Sequence, residues 1–408
     1  MTFSGEVSDG DIVIALRLLA KNSGNKTKTA KALSMSRGGL EQRIRMAELR
    51  GLTVTSVSSI ATPSDKERIR VLEAELKFQR RETLDADYIK AVIIGMSERL
   101  SEPPAWVAKP STAFSGPGVP TLFASDWHWG EVVDDRQVGG VNKYSVAIAQ
   151  ERAKALIETA IDLLFNHLAL PEYPGIVFAL GGDMVSGDIH EELTATNESE
   201  IMPVVLDLFG VLAWCIETLA DKFGRVFVPC VSGNHGRDTL KIRAKGRNFT
   251  SFDWLLYQFL AKRFEADKRV SFLIPDGSDA YYSVMGHRYL LTHGDQFRGG
   301  DGLIGALGPI VRGDHKKRSR NAQIDMEYDT MILGHWHQLI QLQRLIVNGS
   351  LKGYDEYAYQ ASFGYEPPRQ ALWITHPEQG ITFSAAVNVD RHKNYGRVQA
   401  RDWIALKD

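Results

Sequence analysis

Cysteine is scarce in this chain, since only Cys215 and Cys230 occur among 408 residues. A framework of several disulfides is therefore excluded, and Cys230, within the apolar run RVFVPCVSG, is predicted to be a small buried residue. The sequence also lacks an uninterrupted apolar run of the roughly 18 residues that a bilayer requires. The N-terminal stretch MTFSGEVSDG has neither the basic start nor the apolar core of a signal peptide. We expect a cytoplasmic protein without a membrane partner.

The chain also has no large net charge, because 48 Lys and Arg nearly balance 50 Asp and Glu. The local distribution is less even: residues 1–60 contain nine Lys or Arg against five Asp or Glu. A length of 408 residues predicts two or three domains. The basic first segment is therefore a candidate for a separate domain with an anionic partner.

Helical patterns fill the first segment. Apolar residues at helical spacing follow Asp9 and Asp11, and two shorter helices are predicted on either side of a turn at residues 34–36. The shared core of these helices would consist of Ala30, Leu33, Met35, Leu40 and Ile44.

The stretch AKALSMSRGGL resembles the Fis-like helix-turn-helix units of bacterial and phage DNA-binding proteins. The resemblance implies that the second helix lies in the major groove of DNA. The residues that it would expose there are Arg37, Gln42, Arg43 and Arg45. A three-helix bundle used for oligomerisation is the alternative.

Residues 65–100 are predicted to be helical, either as a dimerising arm that would give a homodimer or as a solvated spacer. The five prolines between residues 103 and 120 then mark a domain boundary. We expect a helix-turn-helix domain at 1–60, a helical arm and proline-rich linker at 61–119, a large domain at 120–390 and a tail at 391–408.

The large segment alternates strand-like and helical patterns, which is typical of a mixed α/β domain. The strand-like runs are TLFAS, GIVFAL, RVFVPCVS, RYLLT and DTMIL, and helices are predicted around 143–168, 196–223 and 250–265. The stretches LIQLQRLIVNGS, RQALWITHP and GITFSAAVNV predict further strands.

Each of the five strand-like runs ends in residues of metal-ligand type. These are Asp126-Trp127-His128, Gly181-Gly182-Asp183, Gly233-Asn234-His235, His293-Gly294-Asp295 and Gly334-His335-Trp336-His337. Sites assemble at the carboxyl ends of strands in layered α/β domains. Carboxylate, imidazole and amide ligands without thiolate suit divalent manganese, iron or zinc. Asp183 has two carboxylate oxygens and could bridge two ions, for which manganese is the first candidate.

The series D-x-H, G-D, G-N-H, H-G-D and G-H-x-H resembles the calcineurin-like metallophosphoesterases, including repair nucleases and phage-type relatives, from about Pro120 to Val387. The resemblance implies a four-layer α/β/β/α sandwich with two metals, preceded here by the small all-α domain and a helical linker. The first ion would bind Asp126, His128, Asp183 and His337, and the second Asp183, Asn234, His293 and His335. A metal-bridging hydroxide would attack phosphorus in line, with Asp183 and His235 as catalytic residues.

One departure concerns His235, which Gly236-Arg237 follow where the family often has an acid. Arg237 could instead hold a phosphate oxygen. Asp295 is either a residue that orients an imidazole or a turn residue.

Two basic clusters follow the ligand loops, one with Lys241, Arg243, Lys245 and Arg247, and one that ends a glycine-rich, mobile stretch at residues 315–320. They are solvated surface or a rim that follows a polyphosphate backbone. On the second interpretation the substrate-binding residues are Arg237, Lys241, Arg243, Lys316, Lys317 and Arg318. The sequence thus favours a two-metal phosphodiesterase or nuclease acting on DNA. The alternatives are a phosphatase for nucleotides or phosphoproteins, and a DNA-binding regulatory or scaffold protein with minor phosphoesterase activity.

Overall fold

The computed structural model describes residues 9–33, 35–53, 103–108, 116–189, 191–297 and 307–390. The chain divides into two compact units, Met1–Lys90 and Ala91–Asp408. The predicted helix at 65–100 and the tail at 391–408 lie outside the described residues.

The described residues of the first unit, 9–33 and 35–53, form the helices α1 (Asp9–Lys21), α2 (Lys26–Ala32) and α3 (Arg37–Leu49). Side-chain oxygens cap two of them: Asn25 accepts from Lys28 N before α2, and Ser36 accepts from Gly39 N before α3. These bonds satisfy backbone donors that a first helical turn leaves open.

The predicted core of this unit is confirmed. It consists of buried Ala15, Ala30 and Leu40, with Leu33, Met35 and Ile44 packed against them. Arg37, Gln42 and Arg45 are exposed on α3, whereas Arg43 is half-buried. A contact between this helix and DNA stays a prediction.

The second unit contains two sheets. The first has the order β11-β10-β1-β2-β3-β4 and the second β5-β6-β7-β9-β8. The strands are β1 (Val119–Ala124), β2 (Ile176–Leu180), β3 (Val226–Pro229), β4 (Val270–Leu273), β5 (Asp279–Val284), β6 (His287–Thr292), β7 (Thr330–Leu333), β8 (Ile340–Leu342), β9 (Leu345–Val347), β10 (Arg369–His376) and β11 (Gly380–Asn388). Strands β1 to β4 are parallel, and so are β6, β7 and β9.

The helices of this unit are α4 (Ala105–Ala108), α5 (Val146–Asn166), α6 (Glu191–Thr196), α7 (Ile201–Phe223), α8 (Phe252–Arg263), α9 (Leu307–Ala322) and α10 (Glu356–Gln360). The predictions for β1, β2, β3, β6 and β7 and for α5, α7 and α8 are confirmed. The sequence interpretation missed β4 and β5. It was wrong at residues 307–322, which form α9 rather than a mobile stretch.

Strand alternation divides the apolar residues into three cores. Leu122 packs beneath the helices on the first sheet, whereas its neighbour Phe123 lies in a second core with residues of the other sheet. Leu291 joins that second core, and Leu290 packs with Ile310 of α9 in a third. The unit is therefore a mixed α/β structure with two sheets that share a core.

Helix α7 is long and apolar enough to cross a membrane. This assignment rests on length and composition alone, and core helices of soluble proteins meet the same criteria. One face of α7, which includes Leu208, Leu212 and Leu219, is buried in the first core. The helix is thus weak evidence for a membrane span.

Candidate metal centre

The candidate site lies where five strands end. Strands β1, β2 and β3 of the first sheet and β6 and β7 of the second lead directly into the predicted ligand loops. Two glycines allow close approach, because a Cβ atom at Gly182 would overlap the backbone of Gly233, and one at Gly334 would overlap the Asp126 carboxylate.

Backbone conformation singles out the same loops. Of nine described non-glycine residues with positive φ, five are predicted metal ligands: Asp126 (55°), His128 (47°), Asp183 (50°), His335 (69°) and His337 (51°). A left-handed residue with a side chain costs about 1–2 kcal/mol. Such strain concentrates at functional sites.

The first candidate group contains Asp126, His128 and His337, whose ligand atoms lie within 4.8 Å of one another. The two imidazole Nε2 atoms are 3.0 Å apart, and His337 Nε2 is 3.4 Å from Asp126 Oδ1. With metal–ligand bonds of about 2.1 Å, neighbouring ligand atoms lie roughly 3.0–3.4 Å apart. The donor set therefore fits a divalent cation.

The second group contains Asp183, His293 and His335, also within 4.8 Å. Asp183 Oδ2 is 2.9 Å from His293 Nε2, which is 3.2 Å from Asn234 Oδ1. Asp183 lies beside the first group as well, because its carbonyl accepts from His128 N at 3.0 Å. A bridging role for Asp183 stays a prediction.

The electrostatics of these buried groups favour a cation. Burial, followed by the charge of His293, lowers the pKa of His335 to about 4. Burial also lowers the pKa of His128, so both imidazoles are neutral. Although burial opposes its ionisation, Asp183 has a pKa below the usual range because His293 and His235 are near. Asp183 raises the pKa of His293 to about 10 despite burial, so a cation bound there would displace a proton.

His235 borders both groups. Its ring centroid is 4.6 Å from that of His128, and its backbone N donates to Asp183 Oδ1 at 2.7 Å. Ring atom Nδ1 is 3.1 Å from Ser186 O. This carbonyl orients the ring. Arg237 does not extend from the loop, since its guanidinium donates to carbonyls of Asn234, Thr239 and Leu240.

Asp295 lies in a turn, which confirms one of its two predicted roles, and it also has a partner that the sequence did not reveal. It forms a two-pronged ion pair with Arg247, with both N–O distances 2.9 Å. Arg247 also donates to Gly233 O at 3.1 Å. This partly buried pair connects the loop after β6 with the loop after β3, and so supports both His293 and Asn234.

The predicted basic rim is only partly available to a substrate. Lys241, Arg243 and Lys316 are exposed. Lys317 is buried and binds Asp279 at 2.6 Å, which contradicts its predicted exposure. Arg318 pairs with Asp314 at 2.8 Å and donates to the carbonyls of residues 328 and 329, before β7 begins. Since the ligands follow β7, Arg318 faces the opposite end of that strand.

Asp253, in the first turn of α8, is a residue that the sequence interpretation missed. Its carboxylate accepts from the backbone N of Asp183 (3.0 Å), Met184 (3.2 Å) and Gly233 (2.9 Å). Burial, and then the charge of Asp183, raises its pKa to about 6. One side chain thus holds the loops after β2 and β3 together.

A second missed group begins at His128. Glu131 Oε2 lies 3.4 Å from His128 Nδ1, and Lys352 Nζ binds Glu131 at 2.8 Å and Asp355 at 2.6 Å. Burial disfavours the charge on Lys352, but Asp355 and Glu131 raise its pKa above the ordinary value. Glu131 Oε2 and His128 Nδ1 make no hydrogen bond at this distance, so Glu131 lies beside the second nitrogen of the candidate ligand without the bond that would fix the ring orientation.

A cavity of about 560 Å³ lies away from these residues, lined by His287, Arg288 and Asp329 among others at the start of β6 and β7. It contains none of the candidate ligands. Converging donor atoms, rather than cavity volume, therefore define the site.

Comparisons with protein-family models and with curated proteins give no match. Among solved structures, Vps29 from Entamoeba histolytica complexed with zinc is 11% identical, with a TM-score of 0.27 over 66% of this chain and 100% of that one. A predicted phosphoesterase from Streptococcus pneumoniae is 10% identical, with a TM-score of 0.24 over 66% and 96%. A putative 5′-nucleotidase from Staphylococcus aureus is 13% identical, with a TM-score of 0.30 over 67% and 55%. At such scores the ligand geometry alone carries the functional conclusion.

Proposed function

We propose that this chain is a two-metal phosphoesterase of the calcineurin-like type that hydrolyses phosphodiesters, with DNA as the substrate. The observation that carries the proposal is the pair of ligand groups around Asp126 and Asp183, built on left-handed residues at five strand ends. The three cores around two sheets agree with a four-layer sandwich. Manganese is the ion we expect, and zinc or iron are the alternatives.

Two divalent cations at this site would neutralise phosphate oxygens and lower the pKa of a water molecule between them. The chain's own residues have distinct tasks. Asp183 would hold the two ligand groups together, and Asp253 would fix the loops on which Asp183 and Asn234 lie. Because Ser186 O meets Nδ1 of His235, Nε2 would face the leaving oxygen and stabilise or protonate it.

The test compares manganese-dependent hydrolysis of bis-p-nitrophenyl phosphate, p-nitrophenyl phosphate, single-stranded DNA and plasmid. Diester hydrolysis should fall about 10²–10⁴-fold in His235→Ala, as for loss of a general acid, and disappear in Asp183→Ala and with chelator. His167→Ala, at a half-exposed surface histidine, is the matched control. Hydrolysis of the monoester alone would refute the nuclease proposal.

The exposed arginines of α3 support delivery to DNA by the first unit. A full-length Arg37→Ala/Arg45→Ala variant should bind duplex DNA more weakly, with a salt dependence shallower by about one unit for each phosphate that is no longer neutralised. The charge control is Lys154→Ala, an exposed lysine of the second unit. If the double variant and Lys154→Ala have the same affinity for duplex DNA and the same salt dependence of binding, the helix-turn-helix interpretation is excluded.

A phosphatase for nucleotides or phosphoproteins is the second candidate. The observation that favours it is the engagement of Lys317 and Arg318 in internal ion pairs, which reduces the surface available to a long polyanion. The monoester arm of the same experiment tests it. A scaffold role is less consistent with a complete set of ligands.

A further inference from the structure

Aromatic side chains crowd an exposed segment, residues 354–365, that no role above uses. Exposure is 73% for Tyr357, 52% for Tyr359, 52% for Phe363 and 44% for Tyr365. The rings contact one another: Tyr357 and Phe363 have centroids 5.8 Å apart, and Tyr354 lies 5.6 Å from Tyr365. A contiguous apolar patch of this kind on a surface marks an interaction site.

This aromatic segment is anchored to the metal centre. From the candidate ligand His128, contacts run to Glu131 (3.4 Å), from there to Lys352 (2.8 Å) and on to Asp355 (2.6 Å). Asp355 caps α10, which carries Tyr357 and Tyr359, by accepting from Ala358 N at 2.8 Å. Three buried side chains thus connect the aromatic rings with a metal ligand.

A second link starts at the other histidine of the first ligand group. Leu339, two residues after His337, donates its backbone N–H to Glu366 at 3.1 Å. The segment therefore ends beside the loop that carries His337. The exposed Lys241 and Arg243 belong instead to the chain that follows Asn234.

The acidic residues near the rings are compensated internally. Asp134 pairs with Arg136 at 2.6 Å, and Glu356 accepts from Asp134 N at 2.8 Å. Glu366 pairs with Arg369 at 2.7 Å. The rings consequently form a surface suited to a planar group of low charge, while exposed cations beyond Asn234 suit phosphates.

We propose that the aromatic segment is a stacking platform for unpaired bases of a single-stranded nucleic acid whose scissile phosphate lies at the metal centre. The proposal rests on the phosphodiesterase function and narrows its substrate. Bases in a single strand present their faces to aromatic rings, and each stacked base contributes about 1–3 kcal/mol, whatever its sequence. A duplex keeps those faces within its own stack.

The experiment uses full-length Tyr357→Ala/Phe363→Ala with manganese. We expect the KM for an oligothymidylate to rise about tenfold or more, as loss of one to two stacked bases implies, with kcat/KM for bis-p-nitrophenyl phosphate unchanged. Tyr357→Phe/Phe363→Tyr, which keeps both rings, should behave as the wild type. Phe259→Ala removes a comparably exposed ring (41%) from α8 and should have no effect.

Fluorescence anisotropy with a labelled oligothymidylate and an abasic strand of equal length separates the two proposals. Absence of hydrolysis of every diester would refute the phosphodiesterase, and the anisotropy comparison would still decide on the platform. Equal affinity for both strands, or equal binding by the double variant and the wild type, would overturn the platform. So would a sedimentation experiment in which the wild type is a dimer and the double variant a monomer, since a second copy would then cover the patch.

Discussion

Replacing Asp253 with asparagine should damage the metal centre without touching a ligand. The carboxylate has acceptor oxygens on both sides, of which Oδ2 serves Asp183 N and Gly233 N and Oδ1 serves Met184 N. An asparagine amide can keep its oxygen on one side only. Its NH₂ group then faces a backbone N–H, which loses its acceptor in a fully buried position.

The magnitude follows from that count. One buried donor without an acceptor costs about 1–3 kcal/mol, and two are at stake if the amide turns the other way. In domains of about 150–250 residues each kcal/mol lowers the Tm by roughly 2–4 °C, so the loss of one acceptor should lower the Tm by about 2–12 °C. Because the loops carrying Asp183 and Asn234 would loosen, manganese affinity should fall about 10–100-fold.

Differential scanning calorimetry of the chelated protein and calorimetric titration with manganese measure the two effects. Asp221→Asn is the matched control, because Asp221 pairs with Arg269 at an exposed position where a salt bridge contributes about 1 kcal/mol or less. If Asp253→Asn shows the Tm and manganese affinity of Asp221→Asn, the interpretation of Asp253 as the clamp of these loops is wrong.

Further predictions concern the two buried ion-pair systems, the metals and the first unit. Arg247→Met should weaken manganese binding by about tenfold or more in a calorimetric titration, whereas Lys245→Met, at an exposed neighbour, should not. Glu131→Ala leaves a buried lysine with one partner fewer and should lower the unfolding free energy by about 3–5 kcal/mol in urea titrations. Manganese at about 100 times its Kd should raise the stability of the chelated protein by about 2.7 kcal/mol, and an unchanged Tm would count against metal binding. Leu40→Ala should cost about 2–5 kcal/mol and abolish duplex binding by anisotropy, leaving diester hydrolysis intact.

The strands and the candidate ligands were predictable because the pattern at each strand end is local. An apolar run followed by Gly-Asp or His-x-His carries its information within a few residues, so Asp183 and His337 could be recognised from the sequence. Asp253 could not be recognised from the sequence. It lies 70 residues from Asp183, whose backbone N–H it accepts, and stands in an ordinary helical turn. The ion pairs of Asp295 and Lys317 were not predicted, for the same reason. Their charges are satisfied across the fold, by Arg247 and Asp279, and charge patterns do not reveal such pairing.

Helix α9 shows a related limit. Its sequence contains two glycines and a run of basic residues, which predict a mobile, solvated stretch. The stretch is helical instead, because Ile310 packs against the outer face of the second sheet in the third core. Burial of one apolar face stabilises a helix more than local propensity does.

Each candidate ligand group draws residues from both sheets: Asp126 follows a strand of the first sheet and His337 one of the second, and the same holds for Asp183 and His293. An ion bound to either group would act as a cross-link between the two layers, in addition to the apolar contacts, the hydrogen bonds and the Arg247–Asp295 ion pair that already join them. Cys215 and Cys230 are free and buried, so they form no disulfide that could cross-link the chain. The bound metals would then supply the cross-links. Amide hydrogen exchange at the ends of β1 and β7 should therefore slow together when manganese is added, because the two sheets would open as one cooperative unit.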